Sequence, residues 1–128
     1  MINEAYCSYE VSKLLKEKGF RERICSYYKK GHKNPMYTTQ FPSNWNEEML
    51  HQDCISAPTH QMACAWLREK HHIHANPIRQ GNYNDCSDYY TWIVASNGTI
   101  YRNQSVADKL SYEEAIEEAL KYVLENLL

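Results

Sequence analysis

The feature that most constrains this chain is a shortage of aliphatic side chains. Leu, Ile, Val and Phe together supply only 23 of the 128 residues, whereas 11 residues are Tyr and three are Trp. So low an aliphatic content predicts disorder when the net charge is large, but here the net charge is only -2. Because aromatic rings bury large apolar areas, we expect a folded protein with a small core whose margins remain in contact with water.

The length and the cysteines predict one domain over residues 1–128 and a cytoplasmic location. No stretch approaches the roughly 20 apolar residues of a membrane-spanning helix, so no membrane partner is expected. The N-terminal residues lack the basic and apolar regions of a signal peptide. The five cysteines are odd in number and have no redox-motif spacing, which indicates reduced thiols.

Apolar periodicity predicts three helices. The first extends from about Ser8 to Lys18, and the second from near Pro58 or Thr59 to about His71. The third begins at Ser111, whose spacing to Glu114 matches a capping box, and continues to the end of the chain with an apolar face. Residues 40–57 show no periodicity and predict a long surface loop that Trp45 pins to the body of the protein.

Five extended segments predict an antiparallel sheet. The segments are Arg23–Tyr28, Met36–Thr39, Ile73–Ile78, Tyr89–Ala95 and Thr99–Arg102. Pro77 removes a backbone donor and indicates an edge strand, whereas Asn97-Gly98 is a strong hairpin signal; residues 79–87 are predicted to be a loop. The sequence therefore predicts an α+β fold, an antiparallel sheet with about three helices on one face, in the order α-β-β-α-β-β-β-α.

One internal similarity raises the question of a repeat. Leu14–Lys18 aligns with Trp66–Lys70 at a shift of 52 residues, and strand-like sequence follows each segment. Two related helix-hairpin halves would explain this alignment. Chance similarity between two amphipathic helices is the alternative.

Two resemblances concern the second half of the chain. Ala65–His71 and Ser111–Leu127 together resemble small proteins carried by phages and mobile elements of gut Bacteroidetes, with likeness from Thr59 onward and more loosely over Val11–Phe20. This resemblance implies a small cytoplasmic accessory protein with a host or phage protein as partner, and no particular activity. Tyr89–Leu127 is similar to antitoxins of the HicB type, but its helix pattern is common to many α+β proteins, so we infer no toxin partner.

Histidines and cysteines offer the ligand types of a metal site, at spacings typical of no zinc module that we can identify. The candidates are His51, Cys54, His60, Cys64, His71, His72 and His74. A core role for Cys64 and a favourable interaction of His71 and His72 with the helix dipole are the simpler interpretations. We therefore expect no metal and no other cofactor.

Catalytic motifs are equally scarce in the sequence. No cysteine has a recognisable nucleophile context, and the four glycines form no phosphate-binding loop. The paired carboxylates Glu113-Glu114 and Glu117-Glu118 are typical of a solvated helix face. We accordingly expect a protein that is not an enzyme, with a metal-dependent or thiol enzyme as the least favoured alternative.

The distribution of charged and aromatic residues suggests two binding hypotheses, one for nucleic acid and one for protein. Residues 13–33 carry eight basic and two acidic side chains, which predicts a nucleic-acid surface formed by Tyr27, Tyr28, Lys29, Lys30 and Lys33. A solvated helix face and a lysine-protected edge hairpin are the alternative, which the pI near 6.3 favours.

The leading hypothesis is a non-catalytic protein-binding module that uses aromatic surface, with Tyr37 and Trp45 as candidate contacts. The alternative is that the aromatic residues merely replace aliphatic ones inside the core. The terminal Leu127-Leu128 is either buried or part of a homodimer contact.

Overall fold

The computed structural model describes residues 2–37, 41–80, 89–104 and 110–128. The elements in chain order are α1 (Tyr9–Glu17), β1 (Ser26–Lys29), β2 (Met36–Tyr37), β3 (Cys54–Ser56), α2 (His60–His71), β4 (Ile73–Arg79), β5 (Tyr90–Ser96), β6 (Thr99–Arg102) and α3 (Tyr112–Asn126). The α+β class is confirmed, and the order roughly matches the prediction. Parts of two predicted segments, residues 38–39 and 81–87, lie outside the described residues.

Two details of the predicted architecture differ from the structure. A short strand, β3, forms near the end of the stretch that was expected to be a loop. The strands also form two three-stranded antiparallel sheets, ordered β2-β1-β3 and β4-β5-β6, and not the one sheet expected. The cause is β3, which pairs with β1 and so completes a separate sheet in the first half of the chain.

The chain divides into two compact units, Met1–Ala63 and Cys64–Leu128, called here the first and second units. In the first unit the first strand along the chain is central, whereas in the second unit the second strand is central. Because related halves would share one strand order, this difference does not favour a repeat. The single domain over residues 1–128 stays a prediction.

The first unit is built around one buried tyrosine. The Ser8 hydroxyl caps α1 by accepting from the Val11 amide at 3.2 Å, and α1 turns Val11 and Leu15 into the core. Tyr28 of β1 is 3% exposed, and its hydroxyl donates to the Cys7 carbonyl at 2.7 Å. The bond satisfies both polar groups, so the ring can be buried without an unpaired hydroxyl.

The second unit is a three-stranded meander covered by α3. The predicted apolar face of α3 is buried, and the helix packs against β4 and β5. Tyr122 of α3 lies between Trp92 and Tyr101 of the sheet, with ring centroids 5.1 Å and 5.8 Å away. Aromatic rings therefore add to the aliphatic contact between this helix and its sheet.

The structure of the second unit contains two local features that the sequence predicts, the Asn97-Gly98 hairpin turn and the capping box at Ser111. Asn97 and Gly98 join β5 to β6 with φ values of 52° and 78°, the left-handed conformation that a tight hairpin requires. Ser111 and Glu114 form the capping box: the Ser111 hydroxyl accepts from the Glu114 amide, and the Glu114 carboxylate accepts from the Ser111 amide at 3.0 Å. Both pairings satisfy backbone donors that the helix itself leaves free.

The capping box predicts a pH-dependent contribution of Glu114 to stability. The hydrogen bonds from the Ser111 amide and side chain hold the pKa of the Glu114 carboxyl below its usual 4.5. A lowered pKa in the folded state means that the stabilisation is present at neutral pH and is lost as the pH falls through that pKa. Glu114→Gln should therefore lower the urea midpoint near pH 7 and have less effect at about pH 3.

Glu118→Gln, one turn later on the exposed face of α3, is the matched control for charge removal. It should leave the urea midpoint nearly unchanged at both pH values. An equal effect of Glu114→Gln at both pH values would contradict the assignment.

Candidate functional site

The segment Phe41–His51, called here the Trp45 loop, is anchored to the start of β1 by Trp45. The indole Nε1 donates to the Ile24 carbonyl at 2.7 Å, and the indole ring stacks on Tyr27 with centroids 4.1 Å apart. Ser43 pairs with Ile24 through two backbone hydrogen bonds of 3.0 Å. Trp45 thus fixes the loop, as its sequence context predicted.

Asn46 is a second anchor of the Trp45 loop, and it is buried. Its Nδ2 donates to the Phe20 carbonyl at 2.8 Å, and its Oδ1 accepts from the Ser56 amide at 2.9 Å. One side chain therefore links Phe20, three residues after the end of α1, to strand β3. The sequence does not indicate this role, because an asparagine in a polar stretch is usually a turn residue.

A hydrogen-bonded serine and histidine also lie in the Trp45 loop. Ser43 Oγ is 2.8 Å from His51 Nε2, and the His51 ring centroid is 4.5 Å from that of Trp45. The His51 amide donates to the Glu47 carbonyl at 2.8 Å. The pair was not predicted, because an eight-residue separation in a segment without periodicity carries no motif.

Large apolar side chains are exposed on and beside the Trp45 loop. Five of the described ones fall within residues 36–37 and 41–50, called here the exposed apolar segment: Met36 (43% exposed), Tyr37 (70%), Phe41 (75%), Met49 (89%) and Leu50 (74%). Met36 and Tyr37 adjoin in the chain, as do Met49 and Leu50, and adjoining exposed apolar residues are typical of interaction sites.

The predicted nucleic-acid residues are only partly on the surface. Lys29, Lys30 and Lys33 are exposed around the β1–β2 turn. Tyr28, by contrast, is a core residue whose hydroxyl is bonded to the backbone, so it cannot stack on a base. Tyr27 is half-buried and already stacked on Trp45. Successive side chains of a strand point to opposite faces of the sheet, so only one of the two adjacent tyrosines of β1 can be on the surface, and Tyr28 is the one that faces the core.

The two predicted protein-binding residues have different surroundings. Tyr37 is exposed on β2, whereas Trp45 is half-buried and holds the loop in place. Of the ten tyrosines that the structure describes, only Tyr37 and Tyr112 are exposed. The tyrosine excess therefore goes mainly into packing, which favours the alternative that aromatic rings replace aliphatic side chains.

The histidines and cysteines of the hypothetical metal site have other contacts. His51 bonds to Ser43, and burial raises the pKa of both the Cys54 and the Cys64 thiols, which disfavours the thiolate that binds metals. His71 packs against Trp66, with ring centroids 4.8 Å apart. His72 and His74 are exposed on the chain that follows α2.

Cys7 and His60 form a buried pair that sequence spacing did not indicate. Their ligand atoms lie within 4.8 Å of each other, and both side chains are buried. Among the described residues of the first unit, no third His, Cys, Asp or Glu side chain joins them.

Comparisons of the chain with family models, with curated proteins and with solved structures found no match. Within the described ranges, every helix is too short or too polar to cross a membrane.

The two hydrogen bonds of Asn46 predict a large effect of its removal. Asn46→Ala should lower the free energy of unfolding by about 1–3 kcal/mol, because the Ser56 amide and the Phe20 carbonyl lose their partners in a buried position. Urea unfolding measures this change. Asn34→Ala, at an exposed position in the same unit, should change the free energy by less than about 0.5 kcal/mol. Equal effects of the two substitutions would exclude Asn46 as an anchor.

Proposed function

We propose that the protein is a binding module for another protein, and that the exposed apolar segment is its binding surface. The observation that carries the proposal is the exposure of five large apolar side chains within fifteen residues of the chain. Leaving such side chains in water costs free energy, and covering them with a partner recovers it.

Anchoring of the Trp45 loop supports this proposal. Trp45 and Asn46 hold the backbone of the loop through hydrogen bonds and ring stacking. A surface whose backbone is already fixed loses less conformational entropy when a partner binds. Phe41, Met49 and Leu50 would thus act as apolar contacts on a preorganised support.

Charge near this surface defines the chemistry of the partner. The exposed Lys29, Lys30 and Lys33 lie on the turn that precedes the exposed apolar segment. A partner with an apolar anchor bordered by carboxylates would match both features. The setting implied by the resemblance is cytoplasmic, with a host or phage protein as the partner, and a homodimer is the alternative partner.

The double variant Met49→Ser with Leu50→Ser tests this surface. Removing two exposed apolar contacts should lower capture of the partner by at least tenfold, about 1.4 kcal/mol, since a few central apolar residues carry most of an interface's binding energy. Capture from a host lysate by the immobilised protein, measured by quantitative mass spectrometry, provides the readout.

Ile100→Ser is the matched control, because Ile100 is an exposed apolar residue of the second unit. The control should capture the partner as well as the wild type does. Equal capture by the double variant and the wild type, with both folded by circular dichroism, would refute the proposed surface.

Nucleic-acid binding is a second candidate function, favoured by the three exposed lysines of the β1–β2 turn. Without Tyr27 and Tyr28 as free stacking surfaces, such binding would rest on phosphate contacts and would weaken steeply with salt. Lys29→Glu with Lys30→Glu should then abolish a gel shift of single-stranded RNA at low salt.

The charge-matched control is Lys13→Glu with Lys70→Glu, at exposed positions outside the turn. It should retain most of the gel shift. A wild-type protein that shifts no RNA, or a turn variant that shifts RNA as the wild type does, would eliminate this candidate.

A further inference from the structure

The Ser43–His51 pair carries chemistry that a binding module does not need. We propose that Ser43 is a nucleophile, with His51 as its general base, that accepts the acyl group of small esters. The distance of 2.8 Å between Ser43 Oγ and His51 Nε2 lies within the range in which an imidazole takes the proton of an attacking hydroxyl. This inference goes beyond the proposed binding function and does not depend on it.

Backbone contacts fix both members of the pair. The Ser43 amide and carbonyl each bond to Ile24 at 3.0 Å. His51 is fixed on both sides, since its amide donates to the Glu47 carbonyl and its carbonyl accepts from the Cys54 amide at 3.2 Å. A nucleophile and base on such supports stay aligned without a further ordering cost.

The contacts of the His51 imidazole ring determine which steps of acyl transfer the Ser43–His51 pair can assist. The ring lies against Trp45, which leaves Nε2 directed to the serine hydroxyl. Among the described residues, no carboxylate is hydrogen-bonded to His51. The pair is therefore a dyad without the third group that stabilises an imidazolium, and we expect rapid acylation of one serine followed by slow hydrolysis.

The acylation step conserves atoms and charge. Ser43 Oγ attacks the ester carbonyl carbon and forms the new C–O bond, while its proton passes to His51 Nε2. The tetrahedral intermediate collapses, the bond to the leaving oxygen breaks, and the leaving group departs with that proton or releases it to solvent. The products are acyl-Ser43 and one alcohol or phenol.

The residues next to Ser43 and His51 in the chain indicate which class of acyl group the proposed ester substrate carries. Phe41 precedes Ser43 by two residues, and Leu50 directly precedes His51; both side chains are exposed. Ser43 and His51 are themselves half-buried, so part of each residue is open to solvent. An ester of a short apolar acid with a good leaving group fits these features best.

The experiment is acylation with p-nitrophenyl butyrate. Wild-type protein should release one nitrophenolate per chain in a burst, and peptide mass spectrometry should find one butyryl group on Ser43. Ser8 and Ser111 are internal controls, because their hydroxyls cap helices. They should carry far less label than Ser43.

Three variants complete the test. Ser43→Ala should remove the burst, His51→Asn should slow it by about 100-fold or more, and Ser43→Cys should restore labelling as a thioester. Circular dichroism establishes that each variant is folded. Labelling of Ser43 no faster than that of Ser8 and Ser111, or an unchanged burst in folded His51→Asn, would overturn the proposal. Capture of a protein partner can succeed or fail independently of either result.

Discussion

The structure of the first unit depends on aromatic rings that are buried or half-buried while their polar ends bond to backbone carbonyls. The Tyr28 hydroxyl donates to the Cys7 carbonyl, and the Trp45 indole donates to the Ile24 carbonyl, both at 2.7 Å. A leucine would bury less area at these positions and would leave the carbonyls without these donors. The rings therefore compensate for the scarcity of aliphatic residues and also connect segments distant in sequence. The same contacts place the Trp45 loop, so the candidate binding surface and the Ser43–His51 pair depend on them.

The second unit uses aromatic residues differently. The rings of Trp92, Tyr101 and Tyr122 add to the contact that the buried aliphatic face of α3 makes with its sheet, and Tyr90 contacts Tyr112 edge to face at 5.4 Å. Here the rings contribute area and ring-to-ring geometry more than hydrogen bonds. The Trp92 Nε1 has no acceptor among the described residues although it is buried. Burial of apolar area thus outweighs the cost of one unpaired donor at this position.

Periodicity and capping residues were sufficient to predict all three helices, the Asn97-Gly98 hairpin and the capping box at Ser111. They could not predict β3, because three residues are too few to show alternation and the strand exists only through pairing with β1. For the same reason the division into two sheets was missed. In the candidate site, Trp45 was predictable as the one tryptophan in a polar loop. Tyr28 was wrongly placed on the surface, because alternation along a strand implies that one of two adjacent tyrosines faces the core without showing which.

The central claim is that buried rings stabilise the protein through both their area and their bonded polar ends. Tyr28→Phe separates these two contributions, because it keeps the ring and removes only the hydroxyl that bonds to Cys7. Measured by urea unfolding, the free energy of unfolding should fall by about 1–2 kcal/mol, since a buried carbonyl loses its close donor. An unchanged or higher free energy of unfolding would contradict the claim.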